Sequence, residues 1–137
     1  MTLIVDASVA LAWVFEDEKA PVADEVLRRV VAEGAYAPSL WKLEIANVLW
    51  ASVRRKRCDE RYAKRSLEHL ERLQVMIDQE TELHAWGQTR VLSVKFDVSV
   101  YDATYLELAL RRSATLATLD KALANAGQRA GLEVMCD

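Results

Sequence analysis

The chain has 137 residues, of which 52% are hydrophobic and 28% are charged, and its formal net charge is −3. We expect one folded domain over residues 1–137, because this composition excludes a disordered chain. The acidic balance excludes a protein that coats nucleic acid by charge alone, but it allows an enzyme whose acids are neutralised by metal ions. No secretory signal or membrane span is visible, and Cys58 and Cys136 lie far apart, so we expect a cytoplasmic protein with reduced thiols.

The predicted elements alternate between strand and helix along the chain. Short apolar runs, typical of parallel strands that are covered on both faces, occur at residues 3–5, 35–37, 75–77, 114–120 and 132–135. Helical patterns occur at residues 7–15, 21–33, 40–56, 59–73, 81–94, 99–112 and 121–130. This alternation predicts an α/β fold with a central, mostly parallel sheet of four or five strands, wrapped by helices through right-handed crossovers.

Two aspartates follow apolar strands and precede helices. Asp6 comes directly after Leu3-Ile4-Val5, and Asp120 ends the run from Ala114. Either residue alone would most simply cap the helix that follows it. Because the carboxyl ends of parallel strands meet at one sheet edge, where open α/β folds bind ligands, the pair also suggests a cation site.

Glu44 is the only acid in the apolar part of the third predicted helix, and Asn47 lies about one turn later on the same face. From Leu43 to Val53 this helix is apolar nearly all round, so we expect it in the core or in an oligomer interface. A buried carboxylate requires a cation, a hydrogen-bond network or water. The alternative interpretations of Glu44 are a position at a solvent-exposed end of the helix, or a pairing with an arginine in the core.

Asp102 lies three residues after Ser99, which is a capping-box pattern at the start of the sixth predicted helix. It also aligns with Leu106 and Ala109 on the face expected to point inward. A purely solvent-exposed capping role therefore explains only part of the pattern.

In order and spacing, these segments resemble the PIN-domain nucleases, in particular the toxin subunits of bacterial VapBC toxin–antitoxin pairs. The matching segments are LIVDASV around Asp6, PSLWKLEIANVLW around Glu44, YDATYLELAL around Asp102 and ATLDKALA around Asp120. The resemblance covers essentially the whole chain, and the four motifs are more specific together than any one of them.

The resemblance implies a single PIN-like nuclease domain with a three-layer α/β/α fold and a metal-dependent endoribonuclease activity. Asp6, Glu44, Asp102 and Asp120 would form the acidic site, supported by Thr118 and by Asn47. It also implies an RNA substrate, a product with a 5′-phosphate, neutralisation by a cognate VapB-like antitoxin, a homodimer, and no membrane partner.

The donor set indicates which metal such a site would take. Hard carboxylate oxygens without histidine or cysteine favour Mg²⁺ or Mn²⁺ over zinc. We expect Asp6 and Asp102 as the principal ligands and Asp120 as a further ligand, acting through water. Glu44 would be a ligand or a base that orients a metal-activated water for in-line attack on the phosphodiester.

Arg54 and Arg55, at the end of the third predicted helix, have two interpretations. Cations are favourable at a helix C-terminus, and basic side chains could also steer RNA phosphates toward the site. We carry them as candidate substrate contacts.

Two other classes of function compete with a nuclease. A Mg²⁺-dependent phosphatase or a response-regulator receiver also uses an aspartate at a strand end. The phosphatase class requires a second aspartate two residues later, where this chain has Ser8, and the receiver class requires an acidic pair that is missing. The third possibility is a catalytically inactive binding module with the same fold, against which the presence of all four acids argues.

Overall fold

The structure is a computed structural model that describes residues 2–137. A five-stranded sheet runs through its centre, with strands β1 (Leu3–Val5), β2 (Ala35–Ala37), β3 (Val75–Ile77), β4 (Thr115–Ala117) and β5 (Val134–Met135). The strand order is β3-β2-β1-β4-β5, and every neighbouring pair is parallel. The predicted parallel sheet is therefore confirmed, with β1 at its centre.

Seven α-helices and two 3₁₀ turns surround the sheet in the part of the chain that is described. The helices are α1 (Ala7–Val14), α2 (Pro21–Glu33), α3 (Trp41–Arg54), α4 (Glu60–Glu71), α5 (Gln88–Phe96), α6 (Val100–Arg111) and α7 (Lys121–Arg129). The 3₁₀ turns are Glu16–Glu18 and Glu82–His84. None of the helices within residues 2–137 is long and apolar enough to cross a membrane.

Successive side chains of β1 enter two different hydrophobic clusters, because side chains alternate between the faces of a strand. Ile4 belongs to the cluster that includes Leu49 of α3 and Leu106 of α6. Leu3 and Val5 belong to a second cluster with Val26 and Val30 of α2. The sheet is thus covered on both faces, which confirms the three-layer α/β/α fold.

Local signals in the sequence set several helix ends. Pro21 is the first residue of α2, where its missing N–H and fixed φ are compatible with a helix. Gly34 ends α2 with φ of +78°, and a Cβ there would lie 3.1 Å from the Gln74 carbonyl oxygen. The Asp59 and Ser99 side chains accept backbone hydrogen bonds from Tyr62 and Asp102, respectively, and so cap α4 and α6.

The prediction of one helix over residues 81–94 is wrong. A 3₁₀ turn ends at His84, and α5 begins only at Gln88. Gly87 adopts φ −104° and ψ −110°, which is outside the helical region and separates the two pieces. The segment before Gly87 begins at Thr81, whose Oγ1 donates a hydrogen bond to Asp78 Oδ2 at 2.9 Å.

Helix α3 is not buried all round within the chain, so the first of its two expected settings, the core, holds for one side only. Its buried residues form one stripe, Trp41, Ile45, Leu49 and Ser52. On the opposite side Leu43 and Trp50 are 74% and 54% exposed. The alternative, an oligomer interface on this exposed side, stays a prediction.

Candidate active site

Asp6 follows the central strand β1 and is 7% exposed. Its backbone occupies the N-cap position of α1, but its side chain makes no capping hydrogen bond within residues 2–137. Instead, Asp6 Oδ2 accepts hydrogen bonds from Ser8 Oγ and from Thr118 Oγ1, both at 2.7 Å. The carboxylate therefore has a role other than side-chain capping of α1.

Thr118 connects Asp6 to Asp120. Because β4 lies beside β1, with Val5 opposite Ala117, the residues that follow the two strands share one edge of the sheet. Thr118 Oγ1 accepts the backbone N–H of Asp120 at 3.0 Å while it donates to Asp6.

Asp120 combines a capping role with an exposed position at the sheet edge. Its Oδ1 accepts the backbone N–H groups of Ala122 and Leu123 at 2.9 and 3.2 Å, so the predicted cap of α7 is confirmed. Its Oδ2 has no hydrogen-bond donor within residues 2–137, and the residue is exposed. Strand β4 is shorter than predicted and ends at Ala117, three residues before this aspartate.

Glu44 lies in the first turn of α3 and is half-buried. Its Oε1 accepts a hydrogen bond from the Tyr105 hydroxyl at 2.5 Å. Tyr105 belongs to α6 and is fully buried, so its hydroxyl requires an acceptor, and Glu44 provides it. This contact joins the two helices next to the carboxyl ends of the strands.

Asp102 lies in the first turn of α6, one turn before Tyr105, and is half-buried. Its backbone N–H donates a hydrogen bond to Ser99 Oγ at 3.0 Å, as the capping pattern predicted. Leu106 and Ala109, expected on the inward side of the same helix, are fully buried.

The carboxylates are close enough to alter one another's ionisation. Burial raises the pKa of Asp6, and the charge of Asp120 raises it further, against the hydrogen bonds from Ser8 and Thr118. Burial and the charges of Asp120 and Asp6 raise the pKa of Asp102 to about 6. The pKa of Glu44 is raised by burial and by Asp6 and Asp102, although the Tyr105 hydrogen bond lowers it. Each of these three carboxyl groups is thus affected by the charge of at least one other acid, and we call Asp6, Glu44, Asp102 and Asp120 the acid cluster.

The donor chemistry of this cluster fits a hard divalent cation. As the side chains stand, no three His, Cys, Asp or Glu residues in the described chain are grouped to hold a metal ion. Asp6 and Glu44 face protein hydroxyl donors, and one oxygen of Asp120 faces backbone donors. A cation would offset the mutual repulsion of the carboxylates and would be bound through oxygen alone.

Three predicted residues lie outside this cluster. Arg54 and Arg55 are at the far end of α3, about 15 Å along the helix axis from Glu44. Asn47 is exposed, and its side chain makes no hydrogen bond in the described chain. Within residues 2–137 no hydrogen bond or ion pair joins any of the three to the four acids, so their proposed roles depend on a substrate that extends beyond the cluster.

Sequence reasoning missed Ser8 and Tyr105. Ser8 Oγ donates to Asp6 and also accepts the backbone N–H of Leu119 at 3.0 Å. It therefore connects Asp6, the residue after β1, with the loop after β4. In the sequence, the signal for this role of Ser8 is its position two residues after Asp6, within hydrogen-bonding reach of that carboxylate. Tyr105 lies three residues after Asp102 in the same helix, where a buried hydroxyl signals a nearby acceptor.

The PIN domain profile matches residues 3–128, which is most of the chain. This protein therefore belongs to the PIN-domain family, as the four motifs indicated. It is 32% identical over 124 residues to Ribonuclease VapC3 from Pyrobaculum aerophilum, covering 90% of this chain and 93% of the relative. It is 32% identical over 127 residues to Ribonuclease VapC9 from Mycobacterium tuberculosis, covering 92% and 91%.

A solved structure supports the same fold. The structure of VapBC2 from Rickettsia felis, bound to a DNA fragment from their promoter, aligns with a TM-score of 0.69. The alignment covers 100% of this chain and 99% of that chain, at 13% sequence identity. At this identity the likeness concerns the fold alone.

Proposed function

We propose that this protein is a metal-dependent endoribonuclease of the toxin–antitoxin type. The observation that carries the proposal is the coupling of Asp6, Glu44, Asp102 and Asp120 at one sheet edge, where the pKa values of three of them are raised by burial and by neighbouring acids. The relatives named VapC are called ribonucleases, which supports RNA as the substrate.

In this proposal Asp6 and Asp102 are the principal ligands of Mg²⁺ or Mn²⁺, and Asp120 is a further ligand through its uncapped oxygen. When bound, the ion supplies charge stabilisation to the attacking and leaving oxygens of an in-line displacement. Glu44 is a ligand or orients the attacking water and accepts its proton, and Tyr105 fixes its position.

The hydrogen bonds that the carboxylates make determine which of their oxygens remain available for the reaction. Ser8 and Thr118 orient the Asp6 carboxylate from two sides. Capping of α7 through one oxygen of Asp120 leaves the other oxygen without a hydrogen-bond donor within residues 2–137, in a residue that is exposed. RNA would therefore approach along this edge, over the ends of β1 and β4.

Partners follow from the same proposal. A VapB-like antitoxin would cover the acid cluster, and the VapBC2 complex among the structural relatives supports a partner of this class. A homodimer would bury the exposed side of α3, where Leu43 and Trp50 lie.

The nuclease proposal is tested with purified protein and RNA in Mg²⁺, in Mn²⁺ and in EDTA. We expect cleavage in either metal, none in EDTA, and products with a 5′-phosphate. The Asp6→Asn variant should be inactive. Absence of cleavage in both metals, or equal cleavage by Asp6→Asn, would overturn the proposal.

The toxin role has a separate test in cells. Expression of the unaltered protein should arrest growth, and Asp6→Asn should relieve the arrest. Cleavage in vitro without growth arrest would instead indicate housekeeping RNA processing by the same site.

A further inference from the structure

A small cavity adjoins the acid cluster on the side of α7. It has a volume of 320 Å³ and lies between α7 and the segment after β5. Asp120 forms part of its wall, so one residue belongs both to the cavity and to the cluster. This volume is at the small end of the range for ligand sites, about 300–1,000 Å³, and suits a single ring system.

Two carboxamides line the cavity from one face of α7. Asn125 and Gln128 are three residues apart, so their side chains are neighbours on the helix. Both are exposed, and their amide groups make no hydrogen bond to any residue from 2 to 137. Two donor–acceptor groups in a concave wall are therefore available to a ligand.

The remaining walls indicate what kind of ligand fits. Leu119, which is half-buried, is the main apolar residue of the lining, because Ala124 beside it is nearly buried. Asp120 and Asp137 also line the cavity and outnumber Lys121, the one cation of the lining, so a phosphate group inside the cavity is disfavoured. This lining is compatible with an uncharged group that forms hydrogen bonds along its edge, and a nucleobase is such a group.

Lys121 adds a positive charge to the lining of this cavity. It is the first residue of α7, is exposed and lines the cavity. A cation in the first turn is unfavourable for the helix dipole, so helix stability does not explain it. A phosphate that follows a base in the cavity would pass this ammonium group.

We propose that the α7 cavity binds one unstacked nucleobase of the RNA beside the scissile bond, and that Asn125 and Gln128 recognise its edge. This inference rests on the proposed ribonuclease function. Carboxamides form paired hydrogen bonds with base edges, and sequence-specific recognition of RNA mostly uses unstacked single-stranded bases. The cavity therefore determines base preference at one position, while the acid cluster performs the cleavage.

The first test is cleavage of an RNA pool that is random over ten positions, with sequencing of the product ends. The unaltered protein should enrich one base at one position next to the cut. Asn125→Ala and Gln128→Ala should reduce that enrichment about five- to one hundred-fold. Gln88→Ala, the same change at an exposed residue of α5, should keep it. Unchanged preferences in both α7 variants would overturn the inference.

The second test separates the cavity from the cleavage reaction. Binding of labelled oligo(A), oligo(C), oligo(G) and oligo(U) is measured by fluorescence anisotropy with Asp6→Asn protein, in EDTA. This protein should prefer one of the four, and added Asn125→Ala and Gln128→Ala changes should remove the preference. Equal binding of all four oligonucleotides by the Asp6→Asn protein would overturn the proposed base recognition in the cavity, even if the unaltered protein cleaves RNA. A preference lost on substitution, without metal-dependent cleavage by the unaltered protein, would support the cavity and reject the nuclease.

Discussion

Thr118 Oγ1 donates a hydrogen bond to Asp6 Oδ2 at 2.7 Å and accepts the Asp120 N–H at 3.0 Å. One fully buried hydroxyl thus connects two acids that are separated by 114 positions in the chain. It does so because β4 pairs with β1 in a register that places Ala117 opposite Val5. The relationship makes Thr118 a positioning residue for the Asp6 carboxylate and for the backbone of Asp120.

We predict that Thr118→Val lowers RNA cleavage about 10–100-fold, as loss of an outer hydrogen bond to a metal ligand does. Valine has nearly the same shape but neither donates to Asp6 nor accepts from Asp120. The apparent affinity for Mn²⁺ should fall with the rate, as measured by cleavage at graded Mn²⁺ concentrations. Thr118→Ser keeps the hydroxyl and should restore most of the activity. Full activity in the valine variant would contradict the positioning role.

Tyr105→Phe should shift the pH dependence of cleavage. The Tyr105 hydroxyl lowers the pKa of Glu44, so its removal should raise that pKa further. If cleavage requires ionised Glu44, the acid limb of the pH–rate profile moves to higher pH, and the plateau rate falls about tenfold.

The matched control for this change is Tyr101→Phe, in the same helix, where the side chain is 69% exposed. It should leave the acid limb where it is in the unaltered protein. An acid limb that stays in place in Tyr105→Phe would argue against a role for the Tyr105–Glu44 contact.

Asp102→Asn should stabilise the metal-free protein at neutral pH. The folded pKa of Asp102 is about 6, above its ordinary value of 3.8, so its ionised form destabilises the fold. This cost is absent below about pH 4, grows as the pH rises from about 4 to about 6, and is complete above about pH 6. Allowing for the solvent that reaches this half-buried group, the variant should gain about 1 kcal/mol in free energy of unfolding at pH 7.5 and nothing at pH 4.

Thermal unfolding in EDTA at both pH values measures this difference. Asp24→Asn, at an aspartate in the first turn of α2, serves as the control and should show no such gain. A loss of stability in Asp102→Asn at pH 7.5 would contradict the electrostatic coupling of the cluster.

Arg111 should be essential for stability. It forms paired hydrogen bonds with Asp78 at 3.0 and 2.7 Å and with Glu107 at 2.8 and 2.9 Å. The Asp78 and Glu107 side chains are 3% and 6% exposed. Burial alone would raise the pKa of Asp78, but the hydrogen bonds and charge of Arg111, together with Thr81, bring it below its ordinary value.

We predict that Arg111→Met costs about 3–5 kcal/mol in free energy of unfolding at pH 7, because it leaves two buried carboxylates uncompensated. The deficit should shrink as the pH falls and Asp78 takes up a proton. Urea denaturation measures it, and Arg90→Met, at an exposed arginine of α5, should change it by no more than about 0.5 kcal/mol. A deficit that is the same at pH 4.5 and pH 7 would contradict this electrostatic explanation.

The sequence was sufficient for features that depend on local pattern. The parallel sheet followed from short apolar runs that alternate with helices, and the shared edge for Asp6 and Asp120 followed from the parallel arrangement. Capping by Ser99 and Asp120 followed from their positions before helices.

Long-range contacts were not accessible in the same way. The hydrogen bond from Tyr105 to Glu44 joins residues 61 positions apart and depends on how α6 crosses α3. The break at Gly87 was not predictable either, because an isolated glycine does not by itself distinguish a break from a weak helix. The exposure of Leu43 and Trp50 was not predictable, because an apolar pattern does not tell whether its partner lies in the same chain.

The central claim, that the four acids form one cation site, is tested most directly by titration calorimetry with Mn²⁺. The unaltered protein should bind Mn²⁺, Asp24→Asn should bind it with the same affinity, and Asp6→Asn should bind it at least about 100-fold more weakly, since a ligand counts for more than its supporting hydrogen bonds. Equal affinities in the unaltered protein and in Asp6→Asn would contradict the account.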